Sequence, residues 1–98
     1  MAKKTKIAAD KLELSAEVLR ALSHPVRLKI LSYISKNKEV NVNTIYRELK
    51  LEQSITSQHL KILRDNELVT SAREGKMVFY TVEFAKIKAI QGILSNYF

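Results

Sequence analysis

His24 and His59 are the only imidazoles in this sequence, and no cysteine accompanies them. Two ligands more than thirty residues apart, without nearby carboxylates, make a poor metal site, so no metal is expected. His59 is expected as a packed, hydrogen-bonded core residue, with a direct base contact as the alternative. His24 precedes Pro25 and suits the start of a helix. Asp10, Glu13 and Glu17 share one helix side at i, i+3 and i+7, which a solvated face explains. No nucleophile with its base, no paired acid and base, and no phosphate loop can be assembled, so neither catalysis nor a cofactor is expected.

Recognition is a better use for the polar residues of "SITSQHLKIL", residues 54–63. At about 100° per residue, Ile55, His59, Leu60, Ile62 and Leu63 fall on one arc and Ser57, Gln58, Lys61, Arg64 and Asp65 on the other. The second arc is what solvent or a groove would meet. An α-helix fits the major groove of B-form DNA, where Gln pairs with adenine, Lys donates to guanine and Ser reaches several acceptors. The N-terminal residues of such a helix lie nearest the base edges. Gln53, Ser54, Thr56, Ser57 and Gln58 are therefore expected at bases or phosphates, Lys61 deeper along the helix, and Arg64 on the backbone.

The elements that must hold this face are marked by caps and periodicity, because two glycines and one proline leave little other punctuation. A first helix is expected from about Lys11 or Ser15 to Leu22, and a second, mostly buried, from Pro25 to Asn37 with Leu28, Ile30, Leu31 and Ile34 inward. "EVNV" reads as a short extended or irregular entry. Asn43 is expected to cap a helix through Tyr46 and Leu49 that ends near Lys50, and Ser54 to cap the next, with "LEQS" between. Two short helices joined by a tight turn outline a helix-turn-helix unit. "LVTSAREGKMVFYTV" then alternates as a β-hairpin turning near Gly75, placing Arg73 and Lys76 at a tip that can reach a phosphate strand or minor groove. Glu74 between them weakens that field. The last helix spans about Glu83 to Asn96, and its stripe of Phe84, Ile87, Ile90, Leu94 and Tyr97 suits a dimer seam, since exposing several such side chains is costly. The expected fold is a winged helix-turn-helix, mainly α with a small β-hairpin.

The totals agree with a single domain. Ninety-eight residues with 46% hydrophobic content support one modest core. The net charge of +7 favours a polyanionic partner, although residues 51–76 carry four basic and four acidic side chains and sum to zero. The basic start leads into charged residues where a signal peptide needs an apolar run, so a cytoplasmic chain with no membrane association is expected.

"LRALSHPVRLKIL", "SITSQHLKILRDNELV" and "REGKMVFYTV", spanning roughly residues 15–82, resemble the winged-helix repressors of the ArsR/SmtB family. The resemblance implies a homodimer that binds double-stranded DNA at an imperfect palindrome. It implies that residues 1–24 form an arm and dimer helix, 25–82 the winged-helix core, and 83–98 a second dimer helix. Val18, Leu19 and Leu22 then join Phe84, Ile87, Ile90, Leu94 and Tyr97 in the dimer contact. Asn41 and Asn43 stand where many members carry two metal-binding cysteines, and neutral amides replace thiolates poorly. The final helix lacks the Asp and His that other members use for zinc-type ions. Two rival readings are a winged-helix protein-interaction module, which the neutral stretch 51–76 favours, and a regulator whose small-molecule effector sits beside the final helix.

Overall fold

The computed structural model describes residues 16–95. The expected arm, with Asp10, Glu13 and the start of the first helix, lies outside the described residues, as do Tyr97 and the side chain of Leu94.

Helix α1 (Ala16–Leu22) buries Val18 and Ala21. Helix α2 (Pro25–Asn37) follows at once because His24 caps it: its Nδ1 accepts from the Val26 amide at 3.2 Å, and Pro25 needs no partner at the first helical position. Ile30, Leu31 and Ile34 form the inward stripe of α2, while Leu28 is exposed. Lys38, at φ 65° and ψ −73°, then breaks the helix.

"EVN" is a strand, which the short extended stretch only half suggested. β1 (Glu39–Asn41) pairs antiparallel with β3 (Met77–Val82), setting Val40 opposite Tyr80, and β3 pairs in turn with β2 (Val69–Glu74). The sheet therefore has three strands in the order β1-β3-β2, not a hairpin alone. β2 and β3 meet in a two-residue turn at Gly75 and Lys76; Gly75 has φ +63° and Lys76 does not have a positive φ, as a type II′ turn requires. Both faces of β3 are half-covered up to buried Val82, which blurs the alternation expected there.

Helix α3 (Val42–Glu48) is capped by Asn41, not by Asn43: the Asn41 Oδ1 accepts from the Thr44 amide at 2.8 Å. The strand ends where the cap begins, so one residue closes β1 and opens α3. A turn of four residues, with Lys50 at φ 57° and the Leu51 amide donating to the Tyr46 carbonyl at 2.8 Å, leads to α4 (Gln53–Asp65). That bond belongs to a Schellman-type stop. α4 ends likewise, with Glu67 at φ 60° and Leu68 donating to Leu63 at 2.9 Å. Ser54 is not the cap of α4; Glu52 holds that place and Ser54 lies inside the first turn.

Helix α5 (Phe84–Ser95) closes the described chain. Two residues expected at a dimer contact lie elsewhere: Val18 and Ile90 belong to the chain's own core, with Ile30, Ile34, Ile45, Leu60, Leu63, Leu68 and Val69. Leu19 and Phe84 remain exposed, and Leu22 and Ile87 half-buried. Leu63 joins α4 to this core and has no accessible surface. Leu63→Ala is expected to lower unfolding stability by about 2–5 kcal/mol, read as a lower urea midpoint with an unchanged slope.

Candidate nucleic-acid interface

The exposed face of α4 is set by what the helix buries. Thr56, Leu60 and Leu63 point into the core, and Thr56 has 0% of its surface accessible. Its hydroxyl donates to the Glu52 carbonyl at 2.8 Å, so the one polar group on the buried stripe is satisfied within the helix. Thr56 therefore cannot meet a nucleic acid, and its place among the contact residues is withdrawn. Ile55 and Ile62, expected inward, are 41% and 38% exposed. At about 100° per residue the buried arc is thus turned by roughly a sixth of a revolution from the one that counting apolar residues suggests.

The outward arc consists of Ser54, Gln58, Lys61 and Asp65, with Ser57 and Arg64 on one flank and Ile55 and Ile62 on the other. Gln53, Ser54, Ser57, Gln58, Lys61 and Arg64 are all exposed. Among the described residues, no hydrogen bond holds the side chains of Gln53, Ser57, Gln58 or Arg64. Ser54 donates to a Glu52 carboxylate oxygen at 3.2 Å, and Lys61 Nζ donates to Asp65 at 2.8 Å. The lysine hydrogen bond is the first cause holding the Asp65 carboxyl below its ordinary value. Being exposed, this i, i+4 pair is weak and readily exchanged for another anion.

At the wing, Arg73 lies opposite Val78 and Lys76 sits in the turn, both exposed. Glu74 is exposed beside them. Arg47 near the end of α3 and Lys50 in the following turn are two further exposed cations next to α4, and the sequence reading passed over both. The first helix of such a pair crosses the backbone of a duplex, so their place in the turn was the available signal.

His59 lies at the edge of the buried arc, hydrogen-bonded as expected but half-buried rather than in the core, with its Nδ1 3.2 Å from Arg27 Nη1. Its ring centroid lies 4.6 Å from that of His24, tilted by 56°. Arg27 also donates to the carbonyls of Arg20 and Ala21, each at 3.0 Å. Among the described residues, no group of three or more His, Cys, Asp or Glu is placed to hold a metal ion, and no helix is long and apolar enough to cross a membrane.

A helix presented behind a tight turn, beside a two-stranded wing, defines a winged-helix DNA-binding transcription regulator. Residues 24–71 match the family model described as bacterial regulatory protein, arsR family. The transcriptional repressor PagR of Bacillus anthracis is 39% identical over 90 residues, covering 92% of this chain and 90% of PagR. Its crystal structure superposes with a TM-score of 0.70 at 34% identity, covering 93% of this chain and 99% of that one. The structure of HlyU from Vibrio cholerae gives a TM-score of 0.71 at 32% identity over 97% of this chain and 98% of that one. The chain belongs to the ArsR family of bacterial regulatory proteins.

Asp65→Asn removes the negative charge that pairs with Lys61 and leaves only a neutral amide oxygen as acceptor. With one negative charge fewer beside the duplex, this variant is expected to bind any duplex roughly twofold to tenfold more tightly at low salt, the gain shrinking as salt rises, measured by fluorescence anisotropy across a salt series.

Proposed function

We propose that the chain is a cytoplasmic homodimeric repressor that places α4 of each copy in successive major grooves of a palindromic operator, with half-sites about 10 base pairs apart. The observation that carries this reading is the free polar face of α4: Ser57, Gln58 and Arg64 are exposed and unengaged among the described residues, while the opposite face is locked into the core. Gln58 is suited to adenine, Lys61 to guanine, and Ser54, Ser57 and Gln53 to bases or phosphates near the helix start. Ile55, exposed at the same end, adds an apolar group suited to a thymine methyl. Arg64, Arg73 and Lys76 supply phosphate contacts. PagR, named a repressor, supports that direction of regulation.

Dimerisation is supported by apolar surface that the single chain leaves uncovered. Leu19, Leu28 and Phe84 are exposed, Phe84 at 58%, and Leu28, Phe84, Ile87 and Leu22 line a groove of about 810 Å³ between α1, α2 and α5. A second copy laid on this face would remove that surface from water, each large side chain contributing roughly 1.5–3 kcal/mol when fully covered. Val18 and Ile90 belong mainly to the chain's own core, and Ile90 also lines this groove. A small-molecule effector in the same region would act on this dimer. Metal sensing through Asn41 is not part of the proposal, because its side-chain oxygen is the cap of α3.

Selection of bound duplexes from a random pool should return a palindrome. On that duplex Gln58→Ala is expected to cost about 1–3 kcal/mol and relax preference at one position of each half-site, whereas Arg73→Ala weakens all duplexes alike. Phe84→Glu should shift the chain from dimer to monomer in sedimentation equilibrium and abolish binding to the full palindrome. Retardation of no duplex at low salt, with a folded protein, would leave the protein-interaction reading instead.

A further inference from the structure

Arg27 links the carbonyl end of α1 to the flank of α4, two elements that also share the core. Its Nε and Nη2 donate to the carbonyls of Ala21 and Arg20 at the end of α1, the Arg20 carbonyl also accepting from Ser23 Oγ at 3.2 Å. Its Nη1 reaches His59 Nδ1 on the half-buried flank of α4. A guanidinium only donates, so His59 Nδ1 must accept, which requires a neutral ring carrying its proton on Nε2. His24, stacked at a tilt on His59, has also committed its Nδ1 as an acceptor, to the amide that starts α2. Both contacts exist only while the rings are neutral.

We propose that Arg27 and His59 form a proton-sensitive lock that positions the reading helix against the end of α1, closed at neutral pH and opened by acid with loss of sequence-specific duplex binding. The part concerning DNA rests on the function proposed above; the lock itself does not. Protonation at Nδ1 would replace the acceptor with a donor aimed at a guanidinium, leaving two cations in contact where there was a hydrogen bond. From α2 and its cap, Arg27 and His24 face His59; Glu17 and Arg20 of α1 and Asp65 of α4 line the adjoining groove with Arg27. The charged residues of α3 and β2, namely Arg47, Glu48, Arg73 and Glu74, are exposed. Burial first, then the fields of His24 and Arg27, push the His59 imidazole below its ordinary value of 6.5. A depressed histidine favours the closed lock above that ordinary value, and the contribution is lost as pH falls through the depressed one.

The sign separates this device from simple attraction. Histidines that gain charge near a polyanion strengthen binding, whereas opening the lock weakens it. The test compares the full-length chain with His59→Asn, whose Oδ1 takes the place of Nδ1 and does not titrate. Binding to the duplex recovered by selection is measured by anisotropy between pH 7.5 and 5.0, and long-range proton–nitrogen spectra report the His59 tautomer. The expected result is an Nε2–H tautomer at pH 7.5 and a loss of affinity on acidification about tenfold greater in the wild type than in His59→Asn, the effect of one charge-assisted contact. The amides of Arg20 and Ala21 should shift with the His59 titration in the wild type and not in the variant. An Nδ1–H tautomer, or Arg20 and Ala21 amides that ignore the titration, would overturn the lock even if no duplex binds. Equal pH profiles for two proteins that do bind would overturn its link to DNA recognition.

Discussion

Which residues this protein can present to a duplex depends on the rotation of α4 about its own axis, and that rotation is set by three buried side chains. Thr56, Leu60 and Leu63 fill the core side at i, i+4 and i+7, and none has accessible surface. Turning the helix enough to bring Ile55 and Ile62 inward would lift Thr56 out and move Leu63 from its place beside the fully buried Leu68 and Val69. The rotation that packs best leaves Gln58 and Lys61 pointing away from the body. Recognition chemistry at the surface is thus a consequence of packing beneath it.

Much of the fold could be read along the chain because its boundaries rest on local chemistry. Pro25, Gly75 and the apolar stripe of α2 act within a few residues of themselves, and the order of helices, turn and hairpin follows from them. What escaped was set by partners distant in sequence or by a polar residue in an apolar role. β1 exists because Val40 meets Tyr80 across forty positions, which three residues cannot announce by periodicity. Thr56 is marked in the sequence only by its place near the helix start, where contacts to bases or phosphates are expected; its bond to the Glu52 carbonyl makes its burial tolerable instead. The caps of α3 and α4 each lie two residues earlier than expected, since a short strand ends on Asn41 and the Glu52 carbonyl accepts from the Thr56 amide.

The same distinction holds at the candidate site. Gln53, Ser54, Ser57, Gln58, Lys61, Arg64, Arg73 and Lys76 are exposed as their types suggested. The ion pair between Lys61 and Asp65 and the reach of Arg27 to His59 depend on rotamers and on tertiary placement. Nothing in the sequence singles out Arg27. In the fold it closes the carbonyl end of α1 and steadies the flank of the helix that reads. Asn41, which composition alone would leave as a surface amide, holds the start of α3 through its side-chain oxygen.

Sequence recognition by this chain requires the Gln58 face of α4 to enter the major groove. The sequence has no cysteine, so Gln58→Cys offers one attachment point for a DNA-cleaving reagent on the full-length chain. On the selected duplex, strand cuts are expected to centre in two major grooves about 10 base pairs apart. Cuts centred in a minor groove, or a bound duplex left uncut, would contradict this placement.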